Sequence, residues 1–159
     1  RVDAFISYSV GPGDDAEGLG PVPGVPGLVM LGELDETIEP AESRAVYEGM
    51  DPPKHLLEVE GSGHLVFSDI CRIGADQGGI VAIVEAIDLD VPPDLLGLAS
   101  DGCQDDALPV EDAYPVIDGV SVAFLAATVG GDDDAAAALD PAALAALGPD
   151  VPATLTTDA

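Results

Sequence analysis

Three short apolar stretches lie in the first part of the chain, at residues 2–10 (VDAFISYSV), 26–32 (PGLVMLG) and 55–60 (HLLEVE). The first is rich in β-branched and aromatic residues and ends at a Gly-Pro-Gly turn, which is typical of a strand. The second is a continuous apolar run, as in strands that are covered on both faces of a parallel sheet. Residues 41–50 (AESRAVYEGM) follow Pro40 and place apolar side chains at helical spacing. This order predicts an α/β fold with three parallel strands flanked by helices, and with residues 2–10 at one edge.

Helical periodicity dominates the later part of the chain. Residues 110–129 carry one apolar stripe and predict a long amphipathic helix that covers the sheet. The members of that stripe are Ala113, Val116, Ile117, Val120, Phe124 and Ala127. Residues 78–89 and the Ala-rich residues 132–147 also predict helix, the latter broken at Pro141. The last residues are expected to fray, and the whole of 1–159 is expected to form part of one domain.

Charge narrows the possible partners. The chain has 31 acidic and 4 basic residues, a formal net charge of −27. Nucleic acids and anionic lipid surfaces would repel such a chain, and no apolar run is long enough to span a bilayer. An Asp-rich, Lys-poor surface is typical of proteins from salt-adapted organisms, in which salt screens self-repulsion. A general bias towards solubility is the alternative.

The two cysteines, Cys71 and Cys103, lie in polar, turn-like segments and form no CxxC pair. We expect a disulfide between them, which favours a secreted or periplasmic location; two buried free thiols are the alternative. The acidic runs GGDDDA and DGCQDD lack the ligand spacing of a calcium loop. The sequence predicts neither a metal site nor a cofactor.

A carboxylate and an imidazole follow two neighbouring strands of the predicted sheet. Asp35 comes in the turn after residues 26–32, and His64 comes in the turn GSGH after residues 55–60. Because the carboxyl ends of adjacent parallel strands lie side by side, we expect these two side chains to meet. A buried aspartate can fix the tautomer of a histidine that acts as a base. His55, beside a lysine at the start of its strand, is predicted to be a surface residue.

Two segments in this order resemble the carboxyl-terminal part of the α/β-hydrolases. PGLVMLGELDETIEP looks like the strand and turn that carry the family's acid, and LLEVEGSGHLVFSDIC looks like its histidine loop. The nearest group is that of dienelactone hydrolases, chlorophyllases, platelet-activating-factor acetylhydrolases and polyester hydrolases. AYPVIDGVSVAFLAATV is similar to that group's closing helix, so the resemblance covers residues 1–130 and leaves 131–159 as an Ala-rich extension. It implies a partial α/β-hydrolase fold in which Asp35 is the triad acid, rather than Glu36 or Glu39, and His64 is the general base.

The family's nucleophile motif, G-x-S-x-G between a strand and a helix, does not occur in the chain. The closest match is SYSVG around Ser9, which has serine in place of the first glycine and no helix after it. We therefore expect the chain to be the C-terminal part of a serine carboxylic-ester hydrolase whose nucleophile lies upstream of Arg1. Its partners would be a small or polymeric ester substrate and the missing N-terminal half of the fold. The alternative is a non-catalytic acidic domain that serves in binding or as a scaffold.

The strand at residues 2–10 contains neither Lys nor Pro, the residues that usually blunt an exposed sheet edge. With its partner strand upstream, that edge would be open and apolar area would be exposed. We therefore expect the isolated chain to aggregate, self-associate or stay partly unfolded unless salt screens its net charge of −27. Sedimentation and thermal melts at low and high salt measure this. A sharp two-state melt of a strictly monomeric sample in low salt would contradict it.

Overall fold

A computed structural model describes residues 2–11 and 24–158 of the chain. Within these ranges four strands form one mixed sheet in the order β1-β2-β3-β4. The strands are β1 (Phe5–Tyr8), β2 (Gly27–Gly32), β3 (Lys54–Val59) and β4 (Ala153–Asp158). The first three are parallel and β4 is antiparallel to β3, so the predicted parallel strands, with β1 at an edge, are confirmed. Most of the Gly-Pro-Gly turn after residue 10 lies outside the described residues.

Six α-helices accompany the sheet in the described part of the chain. They are α1 (Pro40–Glu48), α2 (Gly79–Ala86), α3 (Pro93–Leu98), α4 (Val110–Thr128), α5 (Asp133–Ala138) and α6 (Leu144–Leu147). Short 3₁₀ turns lie at His64–Phe67, Ile70–Arg72, Ala75–Gln77 and Pro141–Ala143. Proline occupies the first position of α1, where its missing N–H costs nothing. The predicted break of the Ala-rich helix at Pro141 is confirmed, and no described helix is long and apolar enough to cross a membrane.

Strand β2 lies at the centre of the molecule, and all six of its residues are buried. Leu28 and Met30 face a core formed with α4, whose buried residues include Val116, Val120 and Phe124. The alternate β2 residues face a smaller cluster on the other side of the sheet, together with residues of α1, of β3 and of the segment between them: Val29, Leu31, Met50, Leu56, Val46 and Tyr47. The continuous apolar run of β2 thus reflects a sheet that is covered on both faces.

The prediction that the C-terminal residues fray is wrong. Strand β4 pairs with β3 along its whole length, and Leu155 is buried in the main core. The segment ATLTTD contains β-branched residues that favour a strand, and its one large apolar side chain faces the core. Leu139 and Leu144 join the same core, so residues 131–158 contribute to the packing of the sheet.

The prediction that His55 is a surface residue is also wrong. His55 lies inside β3 with 6% of its surface exposed, and its ring packs edge-on against Phe124. Its Nδ1 lies 3.1 Å from Oγ1 of Thr157 in β4. The Thr157 hydroxyl donates to the carbonyl of Leu139 at 2.9 Å, so Nδ1 of His55 is the donor of the other bond. Strand β4, which the sequence did not predict, is what covers this histidine.

Burial lowers the pKa of His55 below its usual value of 6.5, because desolvation disfavours the charged imidazole. The free energy of unfolding is therefore highest above the unfolded-state pKa of His55, where the imidazole is neutral in both states. It decreases as pH falls through the lowered pKa of the folded state. In the variant His55→Gln, residue 55 keeps a donor for Thr157 but does not titrate. We expect the loss of unfolding free energy between about pH 7.5 and about pH 5.5 to be smaller in this variant than in the wild type. Urea unfolding measures both losses; equal losses would contradict the prediction.

Candidate active site

The acid loop, residues 33–38, leaves the carboxyl end of β2 and packs directly on the turn after β3. Glu33 and Leu34 donate their backbone N–H groups to the carbonyls of Val59 and Ser62, at 3.0 and 2.8 Å. Gly32 makes this approach possible, since a Cβ at that position would lie 2.6 Å from the Ser62 carbonyl oxygen. Gly32, at the end of β2, is therefore explained by a contact between two backbones.

The histidine loop, residues 60–64, turns back from β3 towards the acid loop. Gly61 has φ +68°, in the left-handed region that favours glycine, and its N–H donates to the Glu33 carboxylate at 3.0 Å. Ser62 is fully buried and donates its hydroxyl to the Val59 carbonyl at 2.8 Å. His64 is the first residue of the 3₁₀ turn His64–Phe67.

Asp35 and His64 meet as the sequence predicted. Oδ2 of Asp35 lies 3.0 Å from Nδ1 of His64, within the range of a hydrogen bond between a catalytic acid and base. Oδ1 accepts from the backbone N–H groups of Thr37 and Ile38 at 2.9 and 2.7 Å. The Asp35 side chain is fully buried, whereas 29% of the His64 side chain is exposed. Because Nδ1 donates to the carboxylate, Nε2 is the basic atom of the neutral ring.

A disulfide joins Cys71 to Cys103, as predicted, with sulfurs 2.04 Å apart and Cα atoms 5.0 Å apart. Cys71 lies in the 3₁₀ turn Ile70–Arg72, which closely follows His64. Cys103 lies in the loop between α3 and α4, which we call the bridging loop (residues 99–109). The disulfide therefore ties the bridging loop to the segment that carries the imidazole.

An exposed cluster connects the same segment to helix α4. Tyr114 of α4 donates its hydroxyl to Asp69 at 2.6 Å, and Arg72 pairs with the same carboxylate at 3.2 Å. The hydrogen bond to Asp69 raises the pKa of Tyr114, and the same bond lowers the pKa of Asp69. These contacts lie at the surface and hold the chain that follows His64 against α4.

The structure does not bring Ser9 to His64. Ser9 follows β1 with φ +44°, donates its N–H to the Met30 carbonyl, and is only 6% exposed. Its hydroxyl is buried without a hydrogen-bond partner among the described residues. Within those residues no side chain is hydrogen-bonded to Nε2 of His64.

Sequence reasoning missed Asp101, a buried carboxylate in the bridging loop. It accepts hydrogen bonds from the backbone N–H groups of Glu36 and His64 and from the hydroxyl of Thr37. The one local signal was its position before Gly102 in an Asp-Gly turn. In the described residues, no group of three or more His, Cys, Asp or Glu side chains is arranged to hold a metal ion.

Comparison of the chain with models of protein families, with curated proteins and with solved structures found no match.

Substitution of Asp35 tests whether the pair is held as described. In Asp35→Asn, the amide NH₂ must face either Nδ1 of His64 or the N–H groups of Thr37 and Ile38, all of which are donors. We expect His64 to shift towards the tautomer protonated on Nε2, in which Nδ1 accepts a hydrogen bond from the amide. We also expect a loss of about 1–3 kcal/mol in unfolding free energy, because the hydrogen bonds to a charged carboxylate are replaced by weaker ones to a neutral amide. Urea unfolding and ¹⁵N NMR of the imidazole measure the two effects.

Asp118→Asn is the matched control, because Asp118 is an exposed aspartate on α4. Its stability and the His64 spectrum should equal those of the wild type. Wild-type stability in Asp35→Asn would show that the hydrogen bonds of Asp35 do not support the fold.

Proposed function

We propose that the chain supplies the acid and the base of a serine carboxylic-ester hydrolase, with the nucleophilic serine carried by sequence that precedes residue 1. The observation that carries the proposal is the buried Asp35 carboxylate held 3.0 Å from Nδ1 of a half-buried His64. Both residues follow the carboxyl ends of adjacent parallel strands, where open α/β sheets place their reactive groups. The resemblance to the α/β-hydrolases supports the same roles.

In the proposed reaction, the serine oxygen attacks the ester carbonyl carbon while Nε2 of His64 takes the hydroxyl proton. The ester C–O bond then breaks, His64 returns the proton to the departing alcohol, and the acyl group stays on the serine. Water attacks this acyl-serine and gives a proton to Nε2. The bond to the serine oxygen then breaks, His64 returns the proton to that oxygen, and the carboxylic acid leaves. Asp35 keeps the proton on Nδ1 in the neutral ring and stabilises the imidazolium that forms twice in each cycle.

The setting of the proposed enzyme follows from the disulfide and the charge. A disulfide next to the base, between Cys71 and Cys103, is consistent with an oxidising compartment, so we propose a secreted or periplasmic enzyme. A net charge of −27 with 4 basic residues would repel anionic substrates, which favours neutral esters, small or polymeric. The same charge supports a salt-adapted source.

A non-catalytic acidic domain used in binding or as a scaffold is the second candidate. It is favoured by the absence of a hydroxyl nucleophile at Nε2 of His64 within the described residues. The two candidates differ in whether a serine outside those residues completes the pair.

The experiment compares residues 1–159 with the polypeptide translated from the complete reading frame, using p-nitrophenyl butyrate and a fluorophosphonate probe that labels activated serines. We expect the longer polypeptide to hydrolyse the ester and to be labelled, and residues 1–159 alone to give only background turnover. In the longer polypeptide, His64→Ala should lower kcat by about 10⁴-fold or more. Asp35→Asn should lower kcat by about 10⁴-fold.

Asp118→Asn again serves as the control and should leave kcat unchanged. If the longer polypeptide shows no hydrolysis and no labelling, the esterase is rejected and the scaffold is favoured. Turnover by residues 1–159 that Ser9→Ala abolishes would instead place the nucleophile at Ser9.

A further inference from the structure

Asp101 connects the two loops that carry the acid and the base. Asp101 is 5% exposed, and its carboxylate accepts three hydrogen bonds. One oxygen accepts from the Glu36 N–H at 3.0 Å and from the Thr37 hydroxyl at 2.7 Å. The other accepts from the backbone N–H of His64 at 3.2 Å. The donors come from the two residues after Asp35 and from the base itself.

We propose that Asp101 is the positioning residue of the acid–base pair, holding the acid loop and the His64 backbone at the separation at which Asp35 meets Nδ1. The inference rests on the proposed function, because positioning matters for catalysis only if His64 acts as a base. None of the hydrogen bonds of Asp101 goes to the imidazole ring, so Asp101 acts through the backbone of its neighbours.

In the described part of the chain, no lysine or arginine side chain pairs with the Asp101 carboxylate. The basic side chains in the described residues are engaged elsewhere: Arg44 pairs with Glu58, Arg72 pairs with Asp69, and Lys54 lies over the ring of Tyr47. A buried carboxylate costs free energy unless its oxygens are hydrogen-bonded. Separating the two loops would remove donors from Asp101, and that cost opposes the separation.

The packing of the bridging loop brings the Asp101 carboxylate within hydrogen-bonding distance of the acid loop and of the His64 backbone. A Cβ at Gly63 would lie 2.5 Å from Oδ1 of Asp101, so only glycine there permits the observed approach. The Asp101 carbonyl accepts from the N–H of Leu65 at 3.0 Å. Two residues later the disulfide of Cys103 anchors the bridging loop to the segment after His64. The loop is therefore fixed at the point from which its carboxylate projects.

The test uses ¹⁵N NMR of residues 1–159 in salt that screens the charge of the chain. It compares the wild type with Asp101→Asn, whose single amide oxygen cannot accept all three bonds. We expect the Nδ1–H proton of His64 to exchange with solvent about tenfold faster than global unfolding accounts for, because restraints on the pair are lost. The population of the Nε2–H tautomer should rise. The chain has two histidines, and the Nδ1–H of His55 is an internal reference that should not change.

Thr37 gives a second, milder pair of variants. Thr37→Val removes the hydroxyl that donates to Asp101 and should speed Nδ1–H exchange of His64 by about threefold. Thr37→Ser keeps the hydroxyl and should restore wild-type exchange, and Asp106→Asn, an exposed change in the same loop, should also match the wild type. A folded Asp101→Asn variant with unchanged His64 exchange and tautomer overturns the proposal. If that variant does not fold, unchanged exchange in Thr37→Val overturns it.

Kinetics separate this inference from the proposed function. In a hydrolytically active longer polypeptide, Asp101→Asn should lower kcat by about tenfold and leave KM within about twofold, because the loss affects the base and not the substrate contacts. A rise of about tenfold in KM with kcat unchanged would assign Asp101 to substrate binding and overturn the positioning role. If the longer wild-type polypeptide does not hydrolyse the ester, the proposed esterase function is rejected. The NMR spectra of His64 still decide whether Asp101 holds the Asp35–His64 pair.

Discussion

Buried carboxylates in this chain are satisfied by N–H and O–H donors, because 4 basic residues cannot serve 31 acidic ones. Asp35 accepts from two backbone N–H groups and an imidazole, and Asp101 accepts from two backbone N–H groups and a hydroxyl. Backbone donors do not move independently, as a lysine or arginine side chain can. Each buried carboxylate therefore fixes the course of the turn that surrounds it, and the geometry of the Asp35–His64 contact is a property of the backbone.

The path from the core to the site runs through β2. Its burial on both faces fixes where the acid loop emerges, and Gly32 at its end lets that loop rest on the turn after β3. The Val59 and Ser62 carbonyls then fix the position of the acid loop through hydrogen bonds to its backbone, so that Asp35 lies against His64. The bridging loop adds a third backbone to this contact. Rigid strands thus position the two side chains, while the turns between them supply the donors.

Features that depend on local pattern could be predicted from the sequence. The apolar run of β2, the stripe of α4 and the order of Asp35 and His64 after adjacent strands are of this kind. The features that were missed depend on distant partners. His55 is buried by Thr157, 102 residues away, and Asp101 is held by Glu36, 65 residues away. Neither pairing leaves a periodic signal, and a short Thr-rich strand near the end of the chain resembles a polar tail.

The disulfide also separates the segment between Cys71 and Cys103 from the rest of the fold, and this segment can tolerate changes in sequence and length. Cys71 and Cys103 close the base of an excursion that contains α2 and α3, and no residue of α2 is buried. Since the entropic cost of a closed loop grows slowly with its length, the excursion can be lengthened, shortened or replaced at small thermodynamic cost. Its outer part is therefore a natural site for grafting a foreign peptide or module, with the loops of Asp35 and His64 separated from the change by a covalent joint.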